Sequence, residues 1–132
     1  YLNAREYFSI SNTPVGEFFA EIAVRHRDVV LARTREVASA NLRHLDRFMT
    51  EHADLFDWVR PHGGMIGFPR LVGGGNARLL CEAAVAEGIL LTLGDCFGVP
   101  DHFRLGFGVG VEWYPEALER LSVVARSAKA VS

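Results

Sequence analysis

The stretch Ile89-Leu-Leu-Thr-Leu-Gly-Asp-Cys-Phe-Gly-Val-Pro-Asp-His-Phe-Arg-Leu-Gly-Phe-Gly-Val-Gly110 sets one cation, Arg104, in an apolar strand beside a glycine-rich turn. Side chains alternate along a strand, so Phe103, Leu105 and Phe107 share one face, and His102, Arg104 and Gly106 share the other. Glycine beside arginine leaves open space above the sheet, which a ligand could fill. A guanidinium held away from water costs desolvation energy unless an anion meets it. That anion is either a local carboxylate, Asp95 or Asp101, or a ligand carboxylate gripped by the planar two-pronged fork. On the residues alone the internal ion pair is the commoner outcome, because most arginines pair structurally or face solvent.

Outward from this stretch, the pattern predicts a small α/β (α+β) sandwich. Asn12-Thr13-Pro14 is a helix start: a capping side chain, then proline in the first turn, with Glu17 near the positive end. Apolar residues then recur at helical spacing from Val15 to Met49, with no further proline. A helix over 14–50 would be roughly 55 Å long. A compact chain of this size has a diameter of about 36 Å. The helix therefore either breaks near Arg25-His26-Arg27-Asp28 or overhangs and is covered by something outside this chain; the second is expected.

Asp57 to Pro61 reads as a strand, His62-Gly63-Gly64 as a turn, and Met65 to Leu71 as a second strand. A helix over about Ala77–Glu87 presents Leu79, Leu80, Ala83 and Ala84, and Gly88 stops it. Ile89 to Thr92 and Phe103 to Phe107 read as buried strands. Pro115 opens a last helix with Leu118, Leu121, Val124 and Ala125 on one face. The expected result is a mostly antiparallel sheet with helices packed on one face.

The length fits one ordinary domain, and 49% hydrophobic content is enough to build a core. A net charge of −2 gives no electrostatic reason for nucleic acid or an anionic membrane as partner. Two cysteines without CxxC spacing do not make a disulfide scaffold, which points to the cytoplasm. No apolar run reaches a membrane span, and the opening residues, with Arg5 and Glu6, are unlike a signal peptide. Starting at Tyr1, the sequence is expected to be a piece of a longer protein.

Other chemistry is weaker. Gly106-Phe107-Gly108-Val109-Gly110 fails the dinucleotide pattern at Val111, and no helix follows at once. Gly73-Gly74-Gly75 could cradle phosphate but lacks the Lys-Ser/Thr end of a P-loop, so a flexible turn is expected. The five histidines show neither i, i+4 pairing nor cysteines at ligand spacing, so no metal site is expected. Cys96 reads as a small buried hydrophobe in the absence of a nearby base.

The order of the parts resembles fold-type I, pyridoxal-phosphate-dependent aminotransferases of class I/II. Trp58-Val-Arg-Pro-His-Gly-Gly-Met-Ile-Gly-Phe68 is similar to their P-x-G-G-x-F hairpin. Gly88-Ile89 followed by Gly94-Asp95-Cys96-Phe97-Gly98 is similar to their G-V … P-G-x-x-F-G element, with Leu93 where proline is usual. Phe103-Arg-Leu-Gly-Phe107 is similar to their x-R-L-x-F/I strand, and Ser11-Asn-Thr-Pro-Val15 to the entry into their interdomain helix. Four such segments in order reverse the odds on Arg104.

The resemblance implies the C-terminal, small-domain part of such an enzyme. Residues 1–13 would be an arm from a missing N-terminal large domain, 14–50 the interdomain helix, and 51–132 the small domain. Arg104 would bind the α-carboxylate of amino-acid and 2-oxo-acid substrates, with Gly63, Gly64, Phe97 and Gly98 lining the pocket. The cofactor would be pyridoxal 5'-phosphate and the assembly a homodimer. The lysine that anchors the cofactor would lie upstream of Tyr1. Lys129, in the terminal helix without matching context, reads as a solvated tail residue, so no catalytic residue falls in this chain. Transamination is the default reaction, with lyase and synthase variants sharing the same segments. Two other readings stand beside it: a stand-alone amino-acid or carboxylate-binding module without catalysis, and a dimerisation piece built on the long helix.

Overall fold

The computed structural model describes residues 13–131, with side chains described through Ala128. Residues 1–12 of the expected arm 1–13, and the side chain of Lys129, lie outside the described residues. The chain divides into two units, Tyr1–Thr34 and Arg35–Ser132, and each is taken by itself.

The first unit carries helix α1, Pro14–Arg25, and the start of α2, Arg27–Glu51. Thr13 is extended (φ −70°, ψ 141°) and its hydroxyl accepts a hydrogen bond from the Gly16 N–H at 3.1 Å, so the predicted cap forms with Pro14 just inside it. One unbroken helix over 14–50 is not what forms. The helix is interrupted at His26 (φ −101°, ψ 18°), inside the polar run Arg25-His26-Arg27-Asp28. The His26 carbonyl accepts from both Val29 and Val30, at 3.1 and 3.2 Å. This tightens the turn before α2 restarts, with Asp28 near its positive end. No residue of α1 is buried, and Val15, Phe18, Phe19 and Ile22 all lie exposed.

The second unit holds the core. The remainder of α2 contributes Leu45, Phe48 and Met49. Helix α3, Arg78–Ala86, contributes Leu80, Cys81 and Ala84, and helix α4, Tyr114–Val131, contributes Tyr114, Leu118, Leu121, Val124 and Ala125. Against them packs a small sheet system of β1 (Phe56–Asp57), β2 (Ile66–Gly67), β3 (Arg70–Leu71), β4 (Thr92–Leu93) and β5 (Phe103–Gly106). Every pairing is antiparallel: β1 with β3, and β2 and β4 on either side of β5. The mixed α/β architecture with small antiparallel sheets is the one predicted.

The inner face of the central strand is fully covered, with Phe103 0%, Leu105 6% and Phe107 1% exposed. On its outer face Arg104 and Gly106 are exposed. Helices pack one side, and among the described residues the other side is open.

Several local expectations shift. The run Met65–Leu71 is divided into β2 and β3, yet it keeps one register against β5, since Gly67 faces Leu105 and Arg70 faces His102. The interruption falls at Pro69. Its carbonyl still accepts from the Phe103 N–H at 3.0 Å, but proline has no N–H to return the bond. The first strand is Phe56–Asp57, earlier than Asp57–Pro61, and it pairs near Arg70–Leu71, which leaves a wide connection in place of a tight hairpin. In α3 the buried stripe is Leu80, Cys81 and Ala84, while Leu79 is 62% exposed and Ala83 is also exposed. Leu90 is 87% exposed; the strand begins at Thr92. Cys96 is exposed, not buried; Cys81 is the buried thiol, pushed up to about 11 chiefly by desolvation.

Candidate functional site

The site is built on β5. Its alternation turns three bulky apolar side chains into the core and so obliges His102, Arg104 and Gly106 to face outward. Thr92 of β4 pairs with Arg104 on one side. On the other, the continuous register places Phe68 across from Arg104, between the Gly67–Leu105 and Arg70–His102 pairings. Gly106 pairs with Ile66 and puts no side chain on this surface. Arg104 thus stands mid-sheet, with an empty position on one side along its strand and an imidazole on the other.

The two acids that could have neutralised Arg104 are engaged elsewhere. Asp95 accepts from Arg78 Nη2 at 2.7 Å, and Asp101 Oδ1 meets His102 Nδ1 at 2.7 Å. That hydrogen bond lowers the Asp101 carboxyl below its ordinary value. Among the described residues the Arg104 guanidinium makes no ion pair or hydrogen bond. The desolvation cost expected for this cation is not incurred in the chain by itself, because the side chain is exposed.

The backbone beside the site is fixed by close approach. The Gly94 N–H donates to the His102 carbonyl at 2.9 Å, and Val99 N–H returns to the Gly94 carbonyl at 3.1 Å. A Cβ on Gly94 would lie 2.0 Å from the Val99 oxygen and 2.3 Å from the His102 oxygen, so only glycine fits. Leu93, where the resemblance leads to proline, adopts φ −62° and ψ 137°, inside the range proline imposes. The departure therefore leaves the turn geometry intact. The short 3₁₀ turn Gly94–Phe97 ends at Gly98, whose φ of 75° favours glycine.

The four expected pocket residues separate into two places. Phe97 packs edge-on against Phe68, with ring centroids 5.5 Å apart, and Phe68 stacks on His102 at 5.0 Å, which links Phe97 to the Arg104 face. Gly98 follows it in the same turn. Gly63 and Gly64 instead line a separate cleft of about 310 Å³ with Arg35, Arg60, His62 and Phe107. The Gly73–Gly75 loop borders an apolar cavity of about 300 Å³, and the Asn76 side chain already accepts from the Arg78 N–H at 2.8 Å. Among the described residues no cluster of three His, Cys, Asp or Glu is arranged to hold a metal, and no helix is long and apolar enough to cross a membrane.

Asn41 is the residue that the sequence reading missed. It is fully buried, and its amide donates to the Phe107 and Val109 carbonyls at 3.1 and 2.8 Å. It ties α2 to the chain that continues from β5. A trace was available: Asn41 lies one helical turn before Leu45, on the apolar stripe, where a polar side chain needs a partner.

No family model matches the chain. In sequence it is 32% identical over 104 residues to a capreomycidine synthase of Streptomyces vinaceus, a match that takes in 78% of this chain and 27% of that protein. In structure it superposes on a pyridoxal-phosphate-dependent cyclase, OrfR, with TM-score 0.83 and 32% identity, over 95% of this chain and 35% of that one. It superposes on a pyridoxal-phosphate-dependent aminotransferase of Streptococcus suis with TM-score 0.82 and 28% identity, over 95% of this chain and 33% of that one. The α-aminoadipate aminotransferase LysN of Thermus thermophilus, at 22% identity and TM-score 0.73, shows the shared fold alone. The chain spans about a third or less of the length of these proteins. In both fold and sequence, the chain resembles the C-terminal domain of fold-type I, pyridoxal-phosphate-dependent enzymes.

Proposed function

We propose that this chain is the substrate-carboxylate-binding small domain of a pyridoxal-phosphate-dependent, aminotransferase-like enzyme acting on amino acids, and that it is inactive alone. The observation that carries this reading is the unneutralised guanidinium of Arg104 on the open face of the sheet, with Asp95 and Asp101 both drawn to other partners. A planar fork on a rigid central strand suits a carboxylate, which accepts two parallel hydrogen bonds. Thr92 and Phe68 flank it, so an approaching carboxylate is confined along the strand, where Gly106 leaves room.

No lysine lies among the residues whose side chains are described, and the only one in the sequence is Lys129. They therefore do not fit the covalent anchorage of pyridoxal phosphate, which falls to residues outside this chain. When bound there, the cofactor supplies an electron sink at the substrate α-carbon. The present chain contributes the anchor that sets the orientation of the substrate. The exposed Val15, Phe18, Phe19 and Ile22 of α1 suit packing on a large domain upstream, in the scheme of arm, interdomain helix and small domain. Transamination is the default; the cyclase and the synthase among the similar proteins keep lyase and synthase chemistry open. The homodimer and the cytoplasm belong to the same reading.

The test uses the full-length protein incubated with pyridoxal phosphate. The reading expects a visible absorption band from the lysine-bound cofactor that changes when an amino acid is added. A protein that never develops the band contradicts it.

A further inference from the structure

His102 stands on the same strand face as Arg104, two residues away, which by strand geometry puts their Cα atoms about 7 Å apart. Two contacts fix the imidazole. Its Nδ1 meets the Asp101 carboxylate at 2.7 Å. Its ring stacks on Phe68, with centroids 5.0 Å apart and 25° between planes. Phe68 is in turn braced edge-on by Phe97. The His102 backbone carbonyl accepts from the Gly94 N–H. An ionised carboxylate only accepts hydrogen bonds, so Nδ1 carries a proton, and in the neutral form of the ring Nε2 is then an acceptor. Nε2 makes no hydrogen bond among the described residues, and the side chain keeps 26% of its surface exposed.

We propose that His102, oriented by Asp101 and Phe68, is a positioning residue that selects substrates whose side chain carries an N–H or O–H donor. This rests on the reading of Arg104 as the carboxylate anchor. With the carboxylate on Arg104, a substrate chain running along β5 toward His102 meets an acceptor at a fixed distance, with the apolar edges of Phe68 and Phe97 beside it. A side chain ending in a methyl group would leave Nε2 without a partner. An acidic side chain would set two acceptors against each other.

The test measures the affinity of the full-length, cofactor-loaded enzyme for two matched pairs, homoserine against norvaline and glutamine against glutamate, from the change in cofactor absorption. The donor-bearing member of each pair is expected to bind about tenfold more tightly. His102→Phe, which keeps the stack on Phe68, should bring both ratios close to one. Asp101→Asn, which no longer fixes the proton on Nδ1, should lower them in part. Arg104→Ala should weaken all four ligands alike and leave the ratios standing, so a failure of the anchor reading shows separately. Ratios near one in the parent enzyme, a preference for glutamate, or ratios unmoved by His102→Phe would overturn the proposal.

Discussion

The two faces of β5 obey different rules, although they alternate residue by residue along one strand. Phe103, Leu105 and Phe107 point inward and sit among Phe56, Leu45 and the helices. His102, Arg104 and Gly106 point outward; Arg104 and Gly106 are exposed, and Arg104 meets no described acid. The inner face explains why the strand exists. On the outer face His102 is held by Asp101 and Phe68, but Arg104 makes no described hydrogen bond or ion pair, so it needs another reason to be there. A rigid strand with one face committed to the core is a precise platform for a side chain on the other.

The sharpest way to break this contrast is to alter each side in turn and measure unfolding by urea. Gly94→Ala forces a methyl group into the Val99 and His102 carbonyls, and Phe103→Ala empties the core under the same strand. Each should lower stability by about 3–5 kcal/mol or prevent folding. Arg104→Ala, on the exposed face, should stay within about 0.5 kcal/mol of the parent. An equal loss from Arg104→Ala would mean that the outer face is structural after all.

Asn41→Ala sharpens the comparison from below. It leaves the Phe107 and Val109 carbonyls without their donor at the end of the strand, and should cost about 1–3 kcal/mol. Recovery of that loss in Asn41→Gln would argue against a geometric requirement for the shorter amide.

Leu93→Pro carries the smallest effect. Leu93 already has a proline-like φ, and it stands in a non-hydrogen-bonded pair with Phe103, because the neighbouring Gly94 N–H takes the ladder bond. The restriction of the unfolded chain is worth about 0.4–1 kcal/mol, offset by some lost packing of the leucine. The variant should therefore melt within a few degrees of the parent. A large loss would show that the turn differs from the proline-bearing form it resembles.

How much of this the sequence disclosed depends on which force decides each element. The terminal helix was legible because Leu118, Leu121, Val124 and Ala125 fall at one helical phase and all are buried. The faces of β5 were legible because period-two alternation leaves no second choice. In α3, Leu79-Leu80-Cys81 are contiguous apolar residues, so periodicity could not select the phase; packing against α4 chose Leu80 and Cys81. The hairpin was misjudged because Pro69 removes one donor from a ladder whose register is set by β5, far away in sequence. The break at His26 was one of two stated alternatives, and no apolar pattern distinguishes a polar turn from a polar helical surface. For the site, Arg104 was visible as a cation at an apolar strand position. The diversion of Asp95 to Arg78 and of Asp101 to His102 was not, since both are tertiary or rotameric choices.

The most direct measurement titrates the full-length, cofactor-loaded enzyme with an amino acid and compares the parent with Arg104→Ala and Arg104→Lys. Loss of a bidentate charge-assisted contact is worth about 1.5–3 kcal/mol. The account therefore predicts a dissociation constant raised about 10- to 100-fold in Arg104→Ala, partial recovery in Arg104→Lys, and unchanged unfolding in both. An amino-acid affinity indifferent to Arg104 would contradict the claim that this guanidinium is held for a substrate carboxylate.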